Sequence, residues 1–185
     1  MHRLHSGVLS MYSLILVAVL LIGLFQSAEL FAQRPAAPRA ASVQAVYTDT
    51  PPEIGNGIEA EIWEQGATIE GFTQILPFTG KPSGEKTVVR LLYDTQNVYV
   101  LFLCMDSQPD KIVSTTMARD EDLRNDDNVE IFFNSLNDNR TVFYFQTNPL
   151  SARRDAYVGS VGSVREEWDG VWQVKSGKFS QGWYA

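Results

Sequence analysis

The sequence predicts an all-β fold, an antiparallel sandwich, because short apolar runs recur along it and polar turns separate them. No long helix is indicated, and only residues 59–65 and 108–116 have the composition of a short helical turn. Regularly spaced short strands of this kind are typical of a jelly-roll or immunoglobulin-like sandwich. The predicted strands are residues 71–76, 87–93, 98–105, 129–134, 141–147, 156–161 and 171–174.

Two of these runs differ in their pattern. Residues 98–105 (VYVLFLCM) are apolar at every position, which predicts a central strand buried on both faces. Residues 129–133 (VEIFF) begin as an alternation, so we expect Glu130 to point away from the core.

Residues 1–32 have the layout of a secretory signal peptide, with an uncharged apolar run at 11–25 followed by small residues at 28–32. The run is shorter than the roughly 20 residues that cross a membrane. We therefore expect cleavage after Ala32 and export to the periplasm, the outer membrane or the extracellular space. An uncleaved signal anchor is the alternative if residues 8–25 are read as one apolar stretch.

The rest of the chain divides into a spacer and one domain. Residues 33–44 are rich in Pro and Ala without periodicity, which predicts an extended linker. Residues 45–185 have the length of a single domain with a sizeable core, and we assign the sandwich to them.

The composition excludes several classes of function. His2 and His5 are the only histidines and both lie in the leader, so the exported chain has no histidine for acid–base catalysis or zinc binding. Cys104 is the only cysteine, which excludes an intramolecular disulfide, and its apolar neighbours predict a small buried side chain. The net charge of −7 repels phosphate backbones, so we expect no nucleic-acid partner.

Four stretches of the sequence together carry a family resemblance. They are PPEIGNGIEAEIW, TVVRLLYDTQNVYVLFLCMDSQPDKI, RDEDLRNDDNVEIFFNSLNDNRTVFYFQTNPLSARRDAYV and EEWDGVW. In this order and spacing they resemble the carbohydrate-binding family 9-like (DOMON-like) domain of exported bacterial proteins, from Ala45 to Ala185. One departure is the turn at Gly55-Asn56, where the family usually has Asp-Gly.

The resemblance also implies a longer protein. In such exported proteins the domain precedes a C-terminal region that resembles a β-barrel, and the sandwich needs one more strand than this sequence supplies. We therefore expect the sandwich to be incomplete at its C-terminal strands, and expect association with the outer membrane through the region that follows.

Four tryptophans are candidates for holding a sugar: Trp63, Trp168, Trp172 and Trp183. Trp168 lies in the polar segment 165–170, and an exposed Trp there offers a flat apolar platform. Burial tendency assigns the other three to the core first. Because the resemblance implies a clamp of two tryptophans, Trp172 is the second candidate ligand-binding residue.

Polar partners for the sugar come from two further segments. Arg119 and Asp120 form a pair suited to sugar diols, and Arg154 and Asp155 belong to a polar turn that the resemblance places near the ligand. The alternative for that turn is an internal ion pair without a ligand role. In the acidic segment 120–128, Asp120, Asp122 and Asp126 suggest an oxygen-only calcium site, and a solvated loop is the alternative.

These observations favour a non-catalytic carbohydrate-binding domain of an exported cell-envelope protein linked to carbohydrate catabolism. The expected ligand is a carbohydrate, and calcium is a candidate structural ion. One alternative is a structural or interaction sandwich that caps an outer-membrane barrel. Another is an accessory domain of a hydrolase whose catalytic part, for example a glycoside hydrolase, lies outside this sequence.

Overall fold

The computed structural model describes residues 42–55, 58, 61–138, 140–159 and 162–185, and 43–185 form one compact unit. The predicted leader and most of the linker lie outside the described residues. Within them, ten strands form two sheets, and short 3-10 helices occupy Glu61–Gln65 and Pro109–Lys111. The strands are β1 (Val46–Tyr47), β2 (Ala67–Ile69), β3 (Thr87–Tyr93), β4 (Val98–Met105), β5 (Val129–Phe133), β6 (Val142–Thr147), β7 (Arg153–Val158), β8 (Val164–Arg165), β9 (Gly177–Phe179) and β10 (Gly182–Tyr184).

The first sheet has six strands in the order β1-β3-β4-β10-β9, with β2 also paired to β3. All its pairs are antiparallel except β1, which runs parallel to β3. The turn between β3 and β4 is closed by Asp94, whose carboxylate accepts the backbone N–H groups of Gln96 and Asn97 at 2.7 Å each. These backbone hydrogen bonds, helped by the Tyr99 hydroxyl, lower the pKa of Asp94.

The core of this sheet forms around Trp63. The first 3-10 helix carries Trp63 against Leu92 of β3 and Leu101 of β4, and all three side chains are buried. Trp183 of β10 is also buried. The predictions that Trp63 and Trp183 belong to the core are therefore confirmed.

The second sheet has four antiparallel strands in the order β5-β6-β7-β8, and its two faces carry different side chains. Side chains alternate between the faces of a strand, so neighbouring residues of β7 point in opposite directions. Phe145 is paired with Asp155, and this pair defines what we call the Asp155 face. Gln146 is paired with Arg154, and this pair defines the Arg154 face.

The all-β sandwich is confirmed, although several elements differ from the expectation. Residues 71–76 contain only an isolated bridge from Thr73 to Pro82, and residues 171–174 form no strand. The strand expected at 156–161 begins three residues earlier, at Arg153.

The expectation that β4 is buried on both faces is wrong. Leu101 is buried, but Val98 is 55% exposed and the remaining β4 side chains are half-buried. The physical reason is that full burial is confined to Leu101, which belongs to the cluster around Trp63, whereas the other positions of the strand have only partial cover. Among the residues that the structure describes, no helix is long and apolar enough to cross a membrane.

Candidate functional site

An aromatic layer covers the Asp155 face of the four-stranded sheet. Phe143 and Phe145 of β6 project from this face, and the Trp168 ring lies over both, with centroids 5.0 and 5.9 Å away. The Trp172 ring meets Phe145 edge-on at 5.3 Å. Aromatic pairs at these separations gain stability beyond their buried area. The layer therefore holds the segment after β8 against the sheet.

Gly170 makes this packing geometrically feasible. A Cβ atom at position 170 would lie 2.8 Å from the Trp168 ring and 3.0 Å from Phe145. The absence of a side chain thus lets the backbone pass close beneath Trp168.

Asp155 is the polar centre of the same face. Its side chain is fully buried and accepts three hydrogen bonds, from the Arg119 guanidinium at 2.7 Å, the Trp172 indole N–H at 3.2 Å, and the backbone N–H of Gly170. A buried carboxylate needs such partners because an unpaired charge in a low dielectric is strongly unfavourable. Strand β7 and the segment containing both tryptophans are therefore joined through one side chain.

Arg119 completes the cluster at its solvent side. Its guanidinium pairs with Asp155 at 2.7 Å, with Asp169 at 2.8 Å and with Asp120 at 3.3 Å. Burial works against the charged form of Arg119, but the surrounding carboxylates outweigh it and raise its pKa. We call Arg119, Asp120, Trp168, Asp169 and Trp172, with Asp155 beneath them, the Trp168 surface.

The structure brings five of the six predicted ligand-binding residues together on this surface. The sixth, Arg154, lies on the opposite face because it is the strand neighbour of Asp155. Trp168 is half-buried, less exposed than expected, since the two phenylalanine rings cover part of it. Trp172 lies outside any strand, contrary to expectation.

A second aromatic and polar surface lies on the Arg154 face. Phe132 is 59% exposed and packs against the Tyr144 ring at 5.0 Å. Glu130 accepts hydrogen bonds from the Tyr144 hydroxyl and the Gln146 amide, both at 3.0 Å. Arg154 pairs with Glu166 at 2.9 Å. We call Glu130, Phe132, Tyr144, Gln146 and Arg154 the Phe132 surface.

Of the Phe132 surface, sequence reasoning had selected Arg154 alone. The useful signal was the alternation in β5, because Phe132 is two residues beyond the outward-pointing Glu130 and shares its face. Burial, together with the neighbouring Glu130 carboxylate, raises the pKa of Tyr144, so this hydroxyl acts as a hydrogen-bond donor at neutral pH.

The three carboxylates considered for calcium have separate partners. Asp120 pairs with Arg119, and Asp122 pairs with Arg124, whose hydrogen bonds lower the pKa of Asp122 to about 2. Asp126 is buried and accepts hydrogen bonds from Thr115 and Asn148. Across the described part of the chain, no group of three or more His, Cys, Asp or Glu side chains is placed to hold a metal ion. Calcium binding stays a prediction without geometric support.

A small, partly open cavity of about 60 Å³ lies elsewhere, beside β4. Trp63, Leu101 and Tyr184 form its apolar wall. None of the six predicted ligand-binding residues lines it, so we do not associate it with the sugar hypothesis.

The fold is a β-sandwich, and each of its two described surfaces places aromatic rings beside planar polar side chains. The model of the carbohydrate family 9 binding domain-like family matches residues 54–175, which is more than half of the chain. The chain belongs to this family, as the resemblance had indicated. No curated protein and no solved structure matches the chain.

Proposed function

We propose that the chain is an exported, non-catalytic carbohydrate-binding domain that holds a sugar on the Trp168 surface. Membership of the family indicates a carbohydrate-binding domain. The leader pattern of residues 1–32 supports export, and a role in carbohydrate catabolism accords with a domain that retains sugars at the cell envelope.

The observation that carries this proposal is the combination of half-exposed indole rings with charged groups at one edge. Trp168 offers an apolar face to the C–H groups of a sugar ring. The side chain of Asp169 is 76% exposed and that of Asp120 is 42% exposed, so both carboxylates can accept hydrogen bonds from sugar hydroxyls. Arg119, fixed by Asp155, keeps these carboxylates in place.

One observation favours a structural role for the same cluster. Asp155 receives all three of its hydrogen bonds from within the chain, so the cluster can act as a brace that needs no ligand. In that case the Phe132 surface, where Phe132 and Glu130 are exposed, is the alternative place for a sugar.

Isothermal titration calorimetry and intrinsic tryptophan fluorescence with a panel of mono- and disaccharides would test the proposal. We expect saturable binding by the full chain, lost in Trp168→Ala and retained in Phe132→Ala. Trp168→Phe serves as a second variant, because a smaller ring can weaken binding while keeping the aromatic layer. Circular dichroism checks that each variant is folded.

The opposite pattern of binding among the variants would place the sugar site on the other surface. Binding lost in Phe132→Ala and kept in Trp168→Ala would assign the sugar to the Phe132 surface. If the folded chain binds no member of the panel, the carbohydrate proposal fails for these ligands and the structural role takes its place.

A further inference from the structure

The connection between β2 and β3 forms an ordered projection rather than a plain turn. Residues 71–83, which we call the Phe78 arm, are tied by backbone hydrogen bonds from Ser83 N–H to Phe72 O at 2.9 Å and from Gln74 N–H to Lys81 O at 2.8 Å. At its end, the N–H groups of Gly80 and Lys81 donate to the carbonyl oxygens of Gln74 and Phe78. The arm is thus shaped by its own hydrogen bonds.

The end of this arm is apolar and exposed. Ile75 and Leu76 are each 81% exposed and Phe78 is 56% exposed, although the arm is internally ordered. Three large apolar side chains exposed within four residues are unlike the scattered single exposures of ordinary surfaces, and such patches mark interaction sites. The side chains contribute little to the core, so their position needs another explanation.

Charge on the arm is confined to one side chain. Between positions 71 and 84 the only ionisable residue is Lys81. Its ammonium group lies over the Phe78 ring, 4.4 Å from the ring centroid. The arm therefore presents an uncharged tip with a single positive charge next to it.

We propose that the Phe78 arm inserts Ile75, Leu76 and Phe78 into the interface of a lipid bilayer. Backbone polar groups are costly to bring toward a lipid phase unless they have partners, and the hydrogen bonds of the arm already pair backbone groups of Gln74, Phe78 and Gly80. An aromatic ring at the headgroup level and a Lys beside it suit the apolar boundary and the lipid phosphates respectively. A preformed arm also loses little conformational entropy when it inserts.

The insertion can be measured with a fluorophore placed on the tip of the full-length chain. An environment-sensitive dye on Leu76→Cys reports the tip, and the same dye on Leu136→Cys, a 63% exposed position in the connection between β5 and β6, is the matched control. Burial raises the pKa of the Cys104 thiol to about 12, so labelling is directed to the new cysteine. Because both proteins contain residues 1–41, the comparison is independent of any lipid contact made there.

Vesicles of phosphatidylcholine, alone or mixed with phosphatidylglycerol, are added to each labelled protein. We expect a blue shift and quenching by lipid-borne quenchers at position 76 but not at position 136. Adding Ile75→Asp and Phe78→Asp to the Leu76→Cys protein should lower the apparent vesicle affinity of the dye response at least about ten-fold, since charges replace buried apolar area. An unchanged dye at position 76 with both vesicle types, or equal responses at both positions, would overturn the proposal and leave a protein partner as the occupant of the tip.

Discussion

At the scale of single residues, Asp155 connects more of the candidate site than any tryptophan does. It is buried in β7 and joins Arg119 to the segment that carries Trp168 and Trp172. Asp155→Ala removes the buried partner of the Arg119 guanidinium and leaves the indole N–H of Trp172 and the backbone N–H of Gly170 without their acceptor. We expect it to lower the free energy of unfolding by about 2–4 kcal/mol, measured by urea titration.

Asp169 provides the matched control, because it pairs with the same guanidinium from a 76% exposed position. Asp169→Ala should change the free energy of unfolding by less than about 1 kcal/mol, as exposed ion pairs usually do. Equal losses in the two variants would contradict the assignment of Asp155 as the structural centre of the surface.

The environment of the Asp126 carboxyl group predicts how the free energy of unfolding depends on pH. Burial opposes ionisation of its carboxyl group, but hydrogen bonds from Thr115 and Asn148 outweigh this effect, so its pKa lies below the ordinary value of 3.8. A depressed pKa in the folded state adds stability above pH 3.8, and this stability is lost as the pH falls through the folded pKa.

The measurement is the free energy of unfolding between about pH 6 and pH 3, the range that brackets an ordinary Asp. Asp126→Asn should be less stable than the parent at the upper end and should lose less on acidification. Parallel pH curves for the two proteins would show that Asp126 is not responsible.

Residue-scale prediction from the sequence succeeded where the local pattern was sufficient. Burial tendency assigned Trp63 and Trp183 to the core, and both are buried. Trp168 has no apolar neighbour in the sequence, yet Phe143 and Phe145, more than twenty positions earlier, cover part of its ring. That contact depends on which strands pair, and the local sequence pattern around Trp168 does not reveal the pairing.

At the scale of elements, the β4–β10 pair depends on Gly182. Its φ of +152° is a conformation that other residues rarely adopt, and a Cβ there would collide with the carbonyl oxygen of Cys104 in β4. Gly182→Ala should therefore cost more than about 3 kcal/mol and lower the thermal midpoint.

Gly84 offers the comparison for this substitution. A Cβ at position 84 would meet nothing within 4 Å, so Gly84→Ala should leave the midpoint nearly unchanged. Comparable midpoints for the two variants would contradict the close approach of β10 to β4.

The central strands were predictable because their apolar runs coincide with the elements, as in β3 and β4. Residues 71–76 and 171–174 have similar composition and form no strand. In the first segment the apolar side chains are exposed at the end of the Phe78 arm, and in the second Trp172 bonds to Asp155 rather than entering a sheet. Composition alone does not distinguish apolar residues that face a core from those that face outward.

At the scale of the whole molecule, the net charge limits which glycans can bind. With a charge of −7, the chain should repel sulfated polysaccharides, and the carboxylates of the Trp168 surface add to that repulsion. We expect the protein to pass through immobilised heparin at about 0.15 M salt, where only short-range interactions persist. If the protein is instead retained on the heparin column and eluted by salt, it has a basic patch, and acidic glycans become better candidate ligands than neutral ones.

The opposite orientation of Arg154 and Asp155 has an evolutionary consequence. The two surfaces share the backbone of β7, so inserting or deleting a single residue there would place the guanidinium beneath Trp172 and the carboxylate beside Glu166. Both surfaces would lose their charge partners in one event. Sequence drift in this strand should therefore proceed by substitution rather than by insertion or deletion.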